Sequence, residues 1–330
     1  MQAQDQDEPK DDPPPTSIKP LGRTALRLLE AGNRIYLDPP DRADYLHTVM
    51  CQVGLPRRRT EAKVFERQSG HVSIRLEAGS LYNGKDWIEQ PLPYGATPRL
   101  VMVHVSSEAI RTKSRKVEVG DSMRQFLTTL GMQTNGGASG GYTTLKRQIE
   151  SLAACRLTLG MYTEGRVVTK KADPIERFEA WLQIDGSQRT LWPGVLELSQ
   201  NFYDTLATHA VPLDYRALSA LKHSALALDV YTWLAHRLCR VQKPGGTKVS
   251  WENMRDQFGQ EYADPKNFKR EFRDILHQVR VVYPDARIDE TIGGIILHES
   301  RPPLAKTTVS LRLPRERGGQ ASPLGDRSGG

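Results

Sequence analysis

One order of predicted elements occurs twice in the chain and restricts the folds that it can adopt. In each unit a helix ends at a glycine, a turn and a second helix follow, and two short strands come next. The terminating glycines, Gly131 and Gly259, occupy matching places in the two units. Helix, turn, basic helix and β-hairpin in this order are typical of a winged helix-turn-helix. The pattern therefore predicts an α+β fold with two tandem winged helix-turn-helix domains and flexible N- and C-terminal tails.

The second unit has the clearer helix signals. Ser250 can cap a first helix, because its side-chain oxygen can accept a backbone N–H of the first turn. Asp264 followed by Pro265 marks the start of a second helix, since an N-cap acceptor precedes proline at the first helical position. This second helix is expected to end near Val282. Two apolar stretches within residues 286–298 then predict a β-hairpin.

The helix predicted over residues 265–282 has two different faces. At about 100° per residue its apolar side chains form one stripe: Phe268, Phe272, Ile275, Leu276 and Val279. Cationic side chains lie opposite or beside it: Lys266, Lys269, Arg270, Arg273, His277 and Arg280. An α-helix fits the major groove of B-DNA, where Arg and Lys read guanine edges or hold phosphates. We expect the first five of these cations to read DNA bases; the alternative is a basic face that contacts only solvent.

The first unit is expected to contact DNA mainly through phosphates. A helix is predicted over about residues 122–130, a glycine-rich loop follows, and a second helix covers about residues 144–155. Residues 156–171 are predicted to form two strands around Glu164-Gly165. The second helix has fewer cations than its counterpart, so we expect fewer base contacts. The DNA contacts predicted for this unit are Thr143, Lys146, Arg147, Arg166 and Lys170.

Two shorter basic stretches leave alternatives open. Arg111, Lys113, Arg115 and Lys116 lie within six residues. They are expected either to contact phosphate or to form the solvated end of a helix. The run at residues 57–59 either touches phosphate or is a solvated loop, which is the commoner environment of a short charge run.

The glycine-rich loop resembles a damaged nucleotide-binding loop. From Gly136 onward it matches the Walker A pattern, except that Tyr142 stands where the lysine belongs. The residues before it have helical spacing, whereas a nucleotide-binding loop follows a buried strand. We therefore expect the glycines to allow close approach to DNA, with backbone N–H groups at the next helix start holding a phosphate of the duplex.

A buried helix is predicted between the two units. Residues 224–238 are apolar nearly all round, which is typical of a core helix. A narrow polar stripe of Asp229, Thr232 and His236 is interpreted as a solvated edge. Asp229 and His236 are separated by about 10 Å along the helix axis, so they are not expected to form a catalytic pair.

Length and charge indicate two domains and a polyanionic partner. A chain of 330 residues is expected to contain about two domains. The predicted division is a disordered or linker tail at 1–42, a first winged-helix domain at 43–186, a second at 187–313 and a flexible tail at 314–330. The net charge of +7 and the pI near 9.3 favour a polyanion such as nucleic acid.

Several classes of function lack their sequence signals. No apolar run approaches the roughly 18 residues of a transmembrane helix, and residues 1–15 lack the apolar core of a signal peptide, so we expect no membrane contact and a cytoplasmic location. Cys51, Cys155 and Cys239 include no C-x-x-C and are expected to be reduced thiols. No H-E-x-x-H, G-x-S-x-G or intact Walker A motif occurs, so we expect no enzyme activity, no cofactor and no metal.

Several stretches, taken in order, resemble the plasmid RepA-type replication initiators. They are LPYGATPRLV at 92–101, EAIRTKSR at 108–115, VEVG at 117–120, VPLD at 211–214 with Ala217 and Leu218, LALDVYTWL at 226–234, VSWE at 249–252, QFG at 257–259 and FKREF at 268–272. The resemblance spans roughly residues 45–303 and leaves out both tails.

The resemblance implies both a fold and a function. Similar proteins have tandem winged-helix domains and bind direct repeats in double-stranded plasmid origin DNA. They help open the duplex, recruit the host replication initiator and the replicative helicase, and often repress their own promoter. It also implies a bacterial cytoplasmic protein with no ATP site, and a homodimer in equilibrium with a monomer. The alternatives are a winged-helix transcriptional repressor without initiator activity, and an enzyme that nicks DNA or hydrolyses nucleotides.

Overall fold

The computed structural model of the protein describes residues 22–119, 125, 127–128, 132, 140–185 and 188–304. Nine helices lie within these residues, and we number them in chain order. They are α1 (Arg23–Leu37), α2 (Thr48–Gln52), α3 (Ala96–Thr112), α4 (Gly141–Ala154), α5 (Gln200–His209), α6 (Tyr215–Leu221), α7 (Ala225–Arg237), α8 (Trp251–Phe258) and α9 (Pro265–Val282). The predicted tails at 1–20 and 314–330, the helix end at Gly131 and most of the glycine-rich loop lie outside the described residues.

The described strands form five small antiparallel sheets. The strands are β1 (Ala43–Leu46), β2 (Val64–Ser69), β3 (Val72–Glu77), β4 (Ser80–Tyr82), β5 (Trp87–Glu89), β6 (Lys116–Glu118), β7 (Arg156–Thr163), β8 (Arg166–Lys171), β9 (Ile175–Asp185), β10 (Gln188–Leu198), β11 (Val211–Asp214), β12 (Thr247–Ser250), β13 (Ile288–Thr291) and β14 (Gly294–Leu297). The strand orders are β1-β11, β2-β3-β7-β8, β4-β5, β6-β10-β9 and β12-β14-β13. Helices and small sheets together confirm the α+β class.

The second unit has the predicted order of elements. The Ser250 side chain accepts the Asn253 N–H at 3.1 Å and caps α8. The Asp264 side chain accepts the Lys266 N–H at 2.8 Å and caps α9, with Pro265 in its first turn. The hairpin β13–β14 follows, and β12 pairs with β14 as a third strand. Helix α7, buried on nearly every side, precedes the unit and forms part of its core.

The first unit also contains its predicted hairpin. Strands β7 and β8 pair from Thr163↔Arg166 to Thr158↔Lys171. The turn places Glu164 at φ 47° and Gly165 at φ 80°. Two successive left-handed residues are characteristic of the tight turns that match the twist of a hairpin. Strands β2 and β3 extend this hairpin into a four-stranded sheet.

Helix α1 differs from the expectation of a disordered or linker segment over residues 1–42. Leu28 is buried, and Ala31 and Ile35 pack against the core, so one helical stripe is covered. Helix α1 contacts α6 and α9. Its approach to α9 is close: a Cβ on Gly32 would lie 2.5 Å from the Val281 carbonyl oxygen. Tertiary packing stabilises a segment whose neighbouring sequence is polar and proline-rich.

The two predicted winged-helix units share contacts across their proposed boundary. Strand β1 lies before the division at 186/187 and pairs with β11 beyond it, from Ala43↔Asp214 to Leu46↔Val211. Strands β9 and β10, on either side of the division, form one antiparallel pair. The division itself stays a prediction.

Candidate nucleic-acid interface

Helix α9 separates its side chains as the sequence predicts. The apolar stripe is buried: Phe268, Phe272, Ile275, Leu276 and Val279. The cations lie in exposed or half-exposed positions: Lys266, Lys269, Arg270, Arg273, His277 and Arg280. Because the apolar stripe holds the helix on the protein core, its cationic face is presented to solvent along a helix of 18 residues.

The Glu290 carboxylate in the hairpin contacts two of these side chains and so links α9 to strand β13. Its carboxylate oxygens lie 3.1 Å from Arg273 Nε and 3.7 Å from His277 Nε2. Arg273 and His277 are therefore engaged within the protein, and their predicted role as base readers stays a prediction. Lys266 and Arg270 extend from the same face and form no ion pair within the described part of the chain.

Trp251 joins the basic face to the hairpin. Lys269 Nζ lies 4.9 Å and Arg273 Cζ 5.2 Å from the centre of its ring. The indole also contacts buried Phe272, with 6.2 Å between the ring centres and the two ring planes nearly perpendicular. Cation–π attraction of this kind holds a flexible cationic side chain over the ring. The result is a continuous surface that runs from α9 over Trp251 to the hairpin.

The first unit presents a smaller basic surface than the sequence predicts. In α4, Leu145, Ile149 and Leu152 are buried as expected. Lys146, a predicted DNA contact, is only 20% exposed and lies 3.4 Å from Glu150, which is 15% exposed. Burial raises the pKa of Glu150 despite the neighbouring lysine. Thr143 is half-buried, so Arg147 is the predicted contact of α4 that is fully presented to solvent.

The predicted wing cations lie on the outer strand of the first hairpin. Arg166, Lys170 and Lys171 belong to β8 and are exposed. Among the described strands, β8 lies at the edge of its sheet and pairs with β7. An exposed edge strand with cationic side chains can follow a phosphate backbone. Their role as phosphate contacts stays a prediction.

The basic stretch after α3 is divided by the fold. Arg115 pairs with Glu176 at 2.7 Å and with Glu197 at 2.9 Å, and therefore connects the end of α3 to β9 and β10. Arg111 pairs with Glu108 and lies 3.7 Å from Asp44. Lys113 is exposed and adopts φ 54° where α3 ends. Lys113 and Lys116 are thus the cations of this stretch that are exposed without an ion pair in the described part of the chain.

A buried arginine–carboxylate pair corrects the interpretation of the polar stripe on α7. Asp229 is 6% and Thr232 4% exposed, so they do not form a solvated edge. Arg99 of α3 donates to the two Asp229 carboxylate oxygens at 2.6 and 2.7 Å. A Cβ on Gly54 would lie 2.5 Å from Asp229 Oδ2, so glycine is required there. The sequence contains no local signal for this pair, because its partners lie 130 positions apart.

Within the run at residues 57–59, Arg58 and Arg59 are exposed, as a solvated loop would be, but Arg57 differs from both sequence interpretations. The Arg57 side chain is 6% exposed, lies 3.2 Å from Glu261 and stacks over Tyr262. Arg67, fully buried, lies 3.1 Å from the same carboxylate, and burial lowers its pKa to about 10. Glu261 belongs to the turn between α8 and α9. Arg57 and Arg67 therefore hold the turn of the helix-turn-helix and are not placed to reach DNA.

Residues 92–253 match the family described as "Plasmid encoded RepA protein". The resemblance to the plasmid RepA-type replication initiators is confirmed. The RepA match begins just before α3 and ends within α8, so α9 and the second hairpin lie beyond it. Among curated proteins, none matches the chain. A crystal structure of SeMet derivatives of domains 2 and 3 of RctB is similar at a TM-score of 0.48, with 12% identity over 81% of this chain and 95% of that chain.

The described residues contain neither a cluster of metal-ligating side chains nor a membrane-spanning helix. In the portion of the chain that the structure describes, no three or more His, Cys, Asp or Glu side chains lie together as a metal site requires. Within that same portion, no helix has the length and apolar character needed to cross a membrane.

Proposed function

We propose that the protein initiates plasmid replication by binding repeated sequences in duplex origin DNA, without catalytic activity of its own. The family match supports the initiator role. The observation that carries the DNA-binding role is the cationic face of α9, held on the core by a buried stripe and continued by Trp251 onto a hairpin. A helix with a hairpin beside it can place side chains in the major groove and contact the adjacent backbone.

The basic side chains of the proposed interface have two roles, base reading and phosphate binding. Lys266 and Arg270, near the N-terminus of α9, are best placed to read base edges in the major groove. Arg273 and His277 contact DNA once their contacts with Glu290 are broken. Arg147, Arg166, Lys170 and Lys113 hold the phosphate backbone beside the first unit. Arg115 takes no part in this proposal, because its ion pairs lie within the fold.

Binding to several repeats would concentrate strain on the neighbouring duplex, where bending or unwinding helps the strands to separate. Recruitment of the host initiator and replicative helicase, repression of the protein's own promoter and a monomer–dimer equilibrium complete the proposal. A transcriptional repressor without initiator activity is the second candidate, because it would use the same surface. Maintenance of a minimal plasmid that depends on this gene separates the two.

The DNA-binding proposal is tested with the full chain and a digest of the replicon that encodes it. We expect one fragment with short direct repeats to be retained, with affinity that falls steeply as salt rises. Arg270→Ala should cost about 1–3 kcal/mol on that fragment and relax preference at one base pair. Arg34→Ala is the matched control, because Arg34 is exposed on α1 and its substitution removes the same charge.

The outcomes of this experiment are distinct. Equal retention of all fragments by the unaltered protein would contradict origin binding. Equal losses for Arg270→Ala and Arg34→Ala would remove α9 from the reading role, because the effect would then reflect net charge alone.

A further inference from the structure

The tip of the second hairpin exposes one apolar side chain. Ile292 joins β13 to β14 and is 95% exposed, the highest value among the large apolar side chains that the structure describes. Its side chain adds nothing to the packing of the core. Turns of this kind are usually made by glycine, asparagine or aspartate, which tolerate water and unusual backbone angles. A β-branched apolar residue at this position therefore makes the tip of the hairpin apolar.

The backbone beneath Ile292 is held in place. The Trp251 backbone N–H donates to the Gly293 carbonyl oxygen at 3.1 Å, and the indole N–H donates to the Ile292 carbonyl oxygen at 3.1 Å. Gly294 lies directly on β12, since a Cβ there would fall 2.0 Å from the Val249 carbonyl oxygen. The ion pairs of Glu290 connect the same hairpin to α9. The tip is thus a rigid projection and not a loose loop.

Two cations of α9 lie beside the base of the projection, and the hairpin itself also carries Asp289 and Glu290. The same Trp251 ring that holds the tip carries Lys269 at 4.9 Å and Arg273 at 5.2 Å. An apolar residue that projects from a rigid hairpin beside two cations matches the wedges that DNA-bending proteins insert between base pairs. Such wedges are Phe, Leu, Ile, Met or Pro side chains, and they unstack one step and kink the duplex by about 20–90°.

We propose that Ile292 is a wedge that enters the minor groove and unstacks one base step beside the site bound by α9. This inference rests on the proposed function, because it requires specific binding of duplex DNA. It adds the residue through which binding deforms the origin. Lys269 would hold a phosphate beside the opened step, while the hydrogen bonds from Trp251 keep the tip from folding back.

The test uses the full chain and duplexes that carry one retained repeat. The fluorescent adenine analogue 2-aminopurine replaces one adenine at a time and reports unstacking at that position. A set of fragments that carry the repeat at different positions reports the bend. With the unaltered protein we expect fluorescence at one step to rise several-fold. Ile292→Ser should abolish this rise and reduce the bend, with affinity within about tenfold, and Ile292→Phe should preserve both. Leu37→Ser is the control, because Leu37 is 64% exposed on α1.

The outcomes separate the two proposals. Specific retention of the repeat without an unstacked step would overturn the wedge and leave the initiator proposal standing. An unchanged rise and bend for Ile292→Ser would also overturn it. If the unaltered protein shows no specific retention, the proposed function fails and the wedge fails with it. Since the Ile292 side chain does not pack in the core, a folding defect is not expected in Ile292→Ser or Ile292→Phe.

Discussion

Removal of the Asp229 carboxylate should destabilise the protein more than any surface ion pair would. Arg99 has five N–H donors, and every one has an acceptor in the structure. Two go to Asp229, and the others go to the carbonyl oxygens of Leu55, Pro56 and Gly95. Both side chains of the pair are buried, at 7% and 6% exposure. Asp229→Ala therefore leaves two buried donors of a cation without partners.

The magnitude follows from these two donors. A buried donor left without a partner costs about 1–3 kcal/mol, so two cost roughly 2–6 kcal/mol. Measured losses on breaking buried ion pairs, about 3–5 kcal/mol, lie in the same range. Since a folded protein is stable by only about 5–15 kcal/mol, the variant should lose a large part of its stability.

Urea unfolding followed by circular dichroism measures this loss. The matched control is Glu89→Ala, which breaks the exposed pair with Lys63 at 2.6 Å and should cost far less, because solvent screens an exposed pair. Replacement of both partners, Arg99→Met with Asp229→Leu, should recover much of the loss, because no buried charge is left unpaired. A cost below about 1 kcal/mol for Asp229→Ala would refute the reasoning, since the buried pair would then behave like the exposed one.

Two further predictions concern the charge of the interface and the pH dependence of folding. Glu290→Gln removes the carboxylate that contacts Arg273 and His277. We therefore expect the variant to bind the retained fragment more tightly and to lose affinity more steeply as salt rises, as measured by fluorescence anisotropy. An unchanged salt dependence would contradict a role for these side chains in DNA binding. His47 caps α2 through Nδ1, and burial, with the nearby Lys170 and His209, lowers its pKa to about 4 from 6.5. Because the unfolded chain takes up this proton at the higher pH, the free energy of unfolding should decrease as pH falls from 6.5 to 4, by up to roughly 3 kcal/mol. His47→Asn keeps a capping acceptor that does not titrate, so urea midpoints across this range should vary less in the variant, and an equal slope would contradict the assignment.

The second unit could be predicted because its signals are local. The capping side chains of Ser250 and Asp264 each bind an N–H within three residues. The burial of α9 follows a period that one helix repeats along its own length. Each hairpin closes through a turn of two residues. Signals of this range are complete in the sequence, so the elements, their caps and their faces could be placed before any contact between elements was known.

The placement of charges could not be predicted in the same way. Six charges that appear in the sequence as candidates for solvent or DNA form ion pairs with other residues of the protein: Arg57, Arg111, Arg115, Lys146, Asp229 and Arg273. Periodicity identifies the face on which a cation lies, but it does not identify the carboxylate that another element brings to that face. The candidate site is therefore smaller than the basic sequence suggests.

The sequence by itself determined the two faces and the ends of α9, the caps of α8 and α9, and both hairpins, because each depends on residues within about one helix or one turn of each other. Only the tertiary structure decided that Asp229 is buried against Arg99, that Arg57 holds Glu261 and that Ile292 projects from a rigid tip beside Trp251. These contacts join residues 130, 204 and 41 positions apart. No local period or cap records such pairs, since packing of the whole chain brings them together.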